Sequence, residues 1–107
     1  MQGWIAARVR EGTPFVLIGD FNRWMDGRDA FWGALTHTAP LVRATAGHSS
    51  LCWGGGGFID HIIAGGAARA WMQPATLRVL VYRETGRDWK VRLSDHCPVS
   101  VDFRVPD

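Results

Sequence analysis

Apolar and polar positions along this chain follow two periods, one helical and one extended. Over residues 3–11, Trp4, Ile5 and Val9 share one face of a 3.6-residue period while Arg8 and Arg10 lie elsewhere. That spacing predicts a short helix, with Gly12 as its C-terminal stop. Thr13-Pro14 then turns the chain into an unbroken apolar run over residues 15–18, the pattern of a buried strand. Gly19 ends the run, and Asp20 to Asn22 form its exit loop. Residues 29–37 predict a second helix whose apolar side is Phe31, Trp32 and Leu35. The pattern is weak over residues 39–57, where scattered Gly, Ser and Thr predict loop with one strand near Leu51 to Trp53. Residues 58–64 form a strand closed by Gly65-Gly66. Residues 76–82 alternate in part, predicting a strand with one wetter face. A polar loop over residues 83–93 and a closing strand over residues 97–105 complete the chain. Helix, strand, helix and then several strands point to an α/β fold, a sheet flanked by helices, in one domain spanning residues 1–107.

Polar clusters attached to three of these apolar runs carry the candidate chemistry. Asp20 and Asn22, two apart on an extended segment, would face one side and could bind a hard cation or deprotonate a water. Gly-Asp-x-Asn is also turn chemistry, in which Asp and Asn bond their own backbone. Asp95 and His96 diverge at a strand start, so one could ligate a metal while the other contacts a phosphate oxygen, or both could cap the loop end. Asp60 lies between Ile59 and His61 in an apolar strand, where an unpaired carboxylate is unfavourable. It needs a partner. His96 is the expected one, held by Asp60 in one tautomer and favoured in its protonated form; backbone amides or an arginine are the alternatives. His61 points away from Asp60 and reads as a packed or solvent-facing histidine.

Composition narrows the picture modestly. A hydrophobic content of 47% and a charged content of 21% are those of an ordinary globular chain. The net charge of +2 is too small to argue for nucleic-acid binding by itself, and all the basic residues but Lys90 are arginine. Cys52 and Cys97 have neither CxxC spacing nor the density of a disulfide framework, so Cys97 reads as a small core residue. Gly54 to Gly57 lacks the Lys and Ser/Thr of a phosphate loop. No apolar run approaches the roughly 18 residues of a membrane span. The first residues lack the basic and apolar regions of a signal peptide, so no targeting signal is read and localisation stays open.

Taken together, PFVLIGDFN (residues 14–22), FIDHII (58–63) and LSDHCPVSV (93–101) resemble, in order and spacing, the last three conserved blocks of the endonuclease/exonuclease/phosphatase family. The resemblance implies a four-layer α/β sandwich of mixed or antiparallel sheets flanked by helices. It implies hydrolysis of phosphodiester or phosphomonoester bonds with Mg2+ or Mn2+. By motif position, Asp20 would activate the attacking water, Asn22 would contact phosphate or metal, and Asp95 would be a metal ligand. His96, oriented by Asp60, would stabilise the phosphate in the transition state.

The family's N-terminal half supplies an Asn, a Glu metal ligand and another catalytic His or Tyr. This chain begins at the helix before the GDFN strand, and Glu11 and Glu84 do not match that ligand. The expectation is therefore a partial domain whose exposed apolar sheet face favours self-association. Two other readings stand beside the hydrolase: an inert fragment acting as a folding or assembly partner, and an unrelated α/β binding module. The substrate would be a phosphoester, with DNA or RNA preferred over smaller phosphodiesters. Trp4 and Trp32 are expected to pack on their helices, with Trp24 and Trp89 left open to packing or substrate.

Overall fold

The computed structural model describes residues 1–50, 57–81 and 96–107. Expectations for a strand at residues 51–53, the loop at 83–93, Asp95 and Trp89 lie outside the described residues. The first helix, α1 (Gln2–Glu11), ends where the sequence says it should. Gly12 takes φ 69°, and its N–H caps the last turn at the Arg8 and Val9 carbonyls. This left-handed stop favours glycine because a Cβ is disfavoured there. Strand β1 (Phe15–Asp20) follows, then helix α2 (Ala30–Thr38), which Asp29 caps by accepting a 2.8 Å hydrogen bond from the Trp32 N–H.

Two elements escaped the sequence pattern. Strand β2 (Leu41–Arg43) is three residues long, too short to display a period of two. The four-residue turn of helix α3 (Ala68–Trp71) leads directly into β4 (Met72–Val79). Strand β3 (Asp60–Gly65) starts two residues later than expected, and β5 (Val99–Phe103) is shorter at both ends. Strand β4 begins before Pro74 rather than after it. Its ladder with β5 breaks between Gln73 and Arg78, which is where a proline without an N–H is tolerated. The Thr76 hydroxyl bridges the irregularity, donating to the Gln73 carbonyl (2.6 Å) and accepting from the Asp102 N–H (2.8 Å).

The strands form a three-stranded sheet in the order β1-β3-β2 and a two-stranded sheet β4-β5. Every pair is antiparallel. The protein is therefore an α+β fold, correcting the α/β class inferred from element order, because no described pair is joined by a parallel crossover. Helices α1 and α2 cover one face of the larger sheet, with Ile5 and Leu35 buried against Phe15, Leu17 and Leu41. The tip of the Phe15 ring sits over Gly65, its partner in register, so an added Cβ there would collide with the ring. The other face of the sheet, through Ile62 and Ala64, packs on Met72, Leu77, Val99, Val101 and Phe103 of the smaller sheet. Trp32 is half-buried against the first core, but Trp4, although it meets Phe15 edge-on at 5.4 Å, remains 44% exposed. Cys97 is buried and disulfide-bonded rather than a free core thiol. The only other cysteine in the sequence is Cys52. Spacing in sequence carries no sign of such a bond, since proximity in the fold decides it.

Candidate active site

Register, rather than sequence, creates the site. Asp20 is the last residue of β1 and Asp60 the first of β3, and the antiparallel ladder sets them directly opposite each other. Directly opposed side chains share one face of a sheet, with Cβ atoms about 5 Å apart, so two carboxylates there repel unless something positive intervenes. His96, immediately before the Cys97-Pro98 step that leads into β5, stands between them. Its Nδ1 is 2.8 Å from Asp60 Oδ2, and its Nε2 is 3.7 Å from Asp20 Oδ2. One ligand atom from each of Asp20, Asp60 and His96 lies within 4.8 Å of the others. These three line a cleft of about 360 Å³ between the two sheets, with Ile18, Ile62 and Val99 as apolar walls.

The pairing of Asp60 with His96 follows from the argument that a partly buried carboxylate needs a partner. Asp60 is only half-buried, however, because it opens its strand instead of lying inside it. The Asp60 carboxylate can only accept, so Nδ1 carries a proton and the ring is held with Nε2 toward Asp20.

Asn22 behaves differently from expectation. The strand ends at Asp20, and Asn22 adopts φ 54°, so the two side chains are not presented by one extended segment. The Asn22 N–H donates to Asp20 Oδ1 at 2.7 Å, the turn chemistry weighed for Gly-Asp-x-Asn. Asn22 lines a neighbouring cleft with Phe21, Arg23 and Phe31 rather than the one around His96. Asp95 lies outside the described residues.

His61, expected to be packed or solvent-facing, is packed, and it also holds two polar partners. It is 1% exposed, with Nδ1 2.7 Å from Thr45 Oγ1 and Nε2 2.8 Å from the Arg23 carbonyl. Burial pushes its pKa below the ordinary histidine value, and the Arg43 charge adds to this. The Arg23 carbonyl, Asp60 and the Phe58 backbone oppose it. Burial likewise lowers the Arg43 pKa, against the pull of Asp26 and Asp29. The available signal was a histidine alternating with Asp60 into the apolar face of the strand, where a polar ring requires partners.

No helix among the described residues is long and apolar enough to cross a membrane. Comparisons with family models, with curated proteins and with solved structures find nothing that matches this chain.

Proposed function

We propose that the protein is a divalent-metal-dependent phosphoesterase of the nuclease-like kind, with its reacting centre at Asp20, Asp60 and His96. The observation that carries this reading is the carboxylate–imidazole–carboxylate line, 2.8 Å on one side of His96 and 3.7 Å on the other, at the mouth of an apolar-walled cleft. The donor set suits a hard cation, since two carboxylates and an imidazole converge and the opposed carboxylates need positive charge nearby. Asp20, with Asp60, would hold Mg2+ or Mn2+, and by the family resemblance Asp95 would add a ligand, while Asn22 faces the neighbouring cleft. A bound ion would supply Lewis acidity to the phosphoryl oxygen and offset the paired carboxylates.

The chain's own residues do the rest. Asp20 Oδ2 accepts a proton from the water that attacks phosphorus. Asp60 holds the His96 ring through Nδ1–H and stabilises its positive charge. His96 then hydrogen-bonds from Nε2 to a phosphoryl oxygen, where negative charge grows as the ester P–O bond breaks, and the leaving oxygen takes its proton from solvent water. Ile62, buried in the floor of the cleft, gives these groups one apolar wall, while the side toward Ile18 stays open to solvent.

The four-layer sandwich belongs to this proposal too. Its support is that, among the described residues, β1 is an edge strand with Val16 and Ile18 exposed, 72% in the case of Ile18, so the sheet has room to extend or to pair with a second copy. The test is hydrolysis of an activated phosphodiester with Mn2+ or Mg2+, with chelator, and with His96→Ala. Metal-stimulated turnover that the variant loses is expected. A folded wild-type chain with neither metal binding nor turnover would sink the reading and favour the inert assembly partner.

A further inference from the structure

His61 takes no part in the chemistry above, yet its ring is fully satisfied by two groups from separate segments. We propose that His61 is a positioning residue: with Thr45 and Arg43 it locks the segment that follows β1 and so fixes where Asp20 and Asn22 stand. The proposal rests on the phosphoesterase reading for what that segment does, but its geometry is independent of it.

The hydrogen bonds run in one direction. The Arg23 carbonyl can only accept, so His61 Nε2 carries the proton and donates across 2.8 Å. Nδ1 is then an acceptor, and the Thr45 hydroxyl donates to it across 2.7 Å. Thr45 Oγ1 accepts in turn from Arg43 Nη1 at 3.1 Å. A single tautomer satisfies the whole relay, and the other would set two acceptors against each other at the Arg23 carbonyl.

The anchored segment needs anchoring. Asn22 and Met25 both have φ 54°, a left-handed backbone that side-chain-bearing residues avoid, and they lie three residues apart. Such strain persists only where surrounding contacts over-determine it. Here the Phe21 N–H bonds the Ile59 carbonyl at 2.9 Å, Asp20 Oδ1 takes the Asn22 N–H, and Met25 is fully buried. His61 secures the carbonyl of Arg23, between the two strained residues. Because Asp60 and His61 are consecutive on β3, one rigid strand holds a site carboxylate on one face and the anchor of the opposite site segment on the other.

Amide hydrogen exchange of the metal-free protein tests this without turnover. Gln places its amide N–H near the position of imidazole Nε2, whereas Asn reaches only that of Nδ1. In His61→Asn the amides of Asn22 to Met25 should exchange about tenfold faster, in His61→Gln at close to the wild-type rate, with α1 unchanged in both. Mn2+ affinity should fall in the same order. Equal effects of Asn and Gln, or faster exchange spread evenly over the molecule, would overturn the proposal. Should the variants fail to fold, 15N shifts of wild-type His61 decide: a protonated Nε2 and bare Nδ1 are required, and the reverse tautomer sinks it. A wild-type chain that binds no Mn2+ defeats the hydrolase reading, while the exchange pattern still decides whether His61 holds the segment.

Discussion

His96 and His61 both touch the start of β3, one through the Asp60 carboxylate and the other as the next residue in the chain, and they end in opposite environments. His96 is partly open, on the cleft side, with a carboxylate facing each ring nitrogen. His61 is sealed on the helix side, with a neutral hydroxyl and a carbonyl as partners and an arginine beyond. The difference teaches that a strand's alternation can divide labour between neighbours. The wet face offers a titratable group to a ligand, and the dry face uses the same side chain as a fixed donor and acceptor.

The sharpest way to break this comparison is to remove the open histidine. His96→Ala should lower kcat for metal-dependent phosphodiester hydrolysis by about 10²- to 10⁴-fold. Urea unfolding should change little, since the ring is partly exposed. A variant that keeps its activity would strip His96 of its role. Asp60→Asn keeps the size of the side chain but weakens its grip on Nδ1, and a drop of about 10- to 100-fold in kcat is expected. Steady-state rates across pH check it.

Replacing the closed histidine should act on stability first. His61→Leu leaves the Thr45 hydroxyl and the Arg23 carbonyl buried without a partner, and about 1–3 kcal/mol should be lost in urea unfolding. Asp20→Asn should move metal-free stability the other way, by about 0.2–1 kcal/mol, because it removes one of two opposed carboxylates. Isothermal titration should show Mn2+ affinity falling in the same variant.

A last effect concerns pH. Burial holds folded His61 below its unfolded pKa, so the unfolded chain takes up the proton first. Its contribution is therefore fully present above the unfolded value near ~6.5 and declines as pH falls below it, by at most about 1.4 kcal/mol per pH unit. Chelated wild-type protein should lose stability faster than His61→Gln between pH 6.5 and 5, as thermal unfolding would reveal.

Much of the first half of the fold was legible because its signals are local. Gly12 stops α1, Asp29 caps α2, and the apolar run from Phe15 to Ile18 is the strand its pattern predicts. Only Phe15 of that run is buried, and Val16 and Ile18 are exposed, because one face of this strand is left largely uncovered by the described residues. The Asp60–His96 contact was legible for a different reason: burial penalises an unpaired carboxylate wherever the fold puts it, so a partner was required, with His96 expected and an arginine or backbone amides as alternatives. Other features carry no local signal. Three residues of β2 show no period, and the strand across Pro74 depends on Thr76 replacing a missing ladder bond. Nothing in the spacing of two cysteines announces that Cys97 is bonded.

By itself, then, the sequence determined the helix ends, the existence of the first strand and the demand of Asp60 for a cationic or donating neighbour, since these depend on backbone propensity and desolvation within a few residues. Tertiary structure alone decided that Asp20 stands opposite Asp60, that Asn22 turns aside, and that His61 reaches Arg23. Those outcomes depend on strand register and on how segments 38 residues apart meet. A shift of one residue in that register would exchange the faces of Asp60 and His61 and dismantle both environments at once.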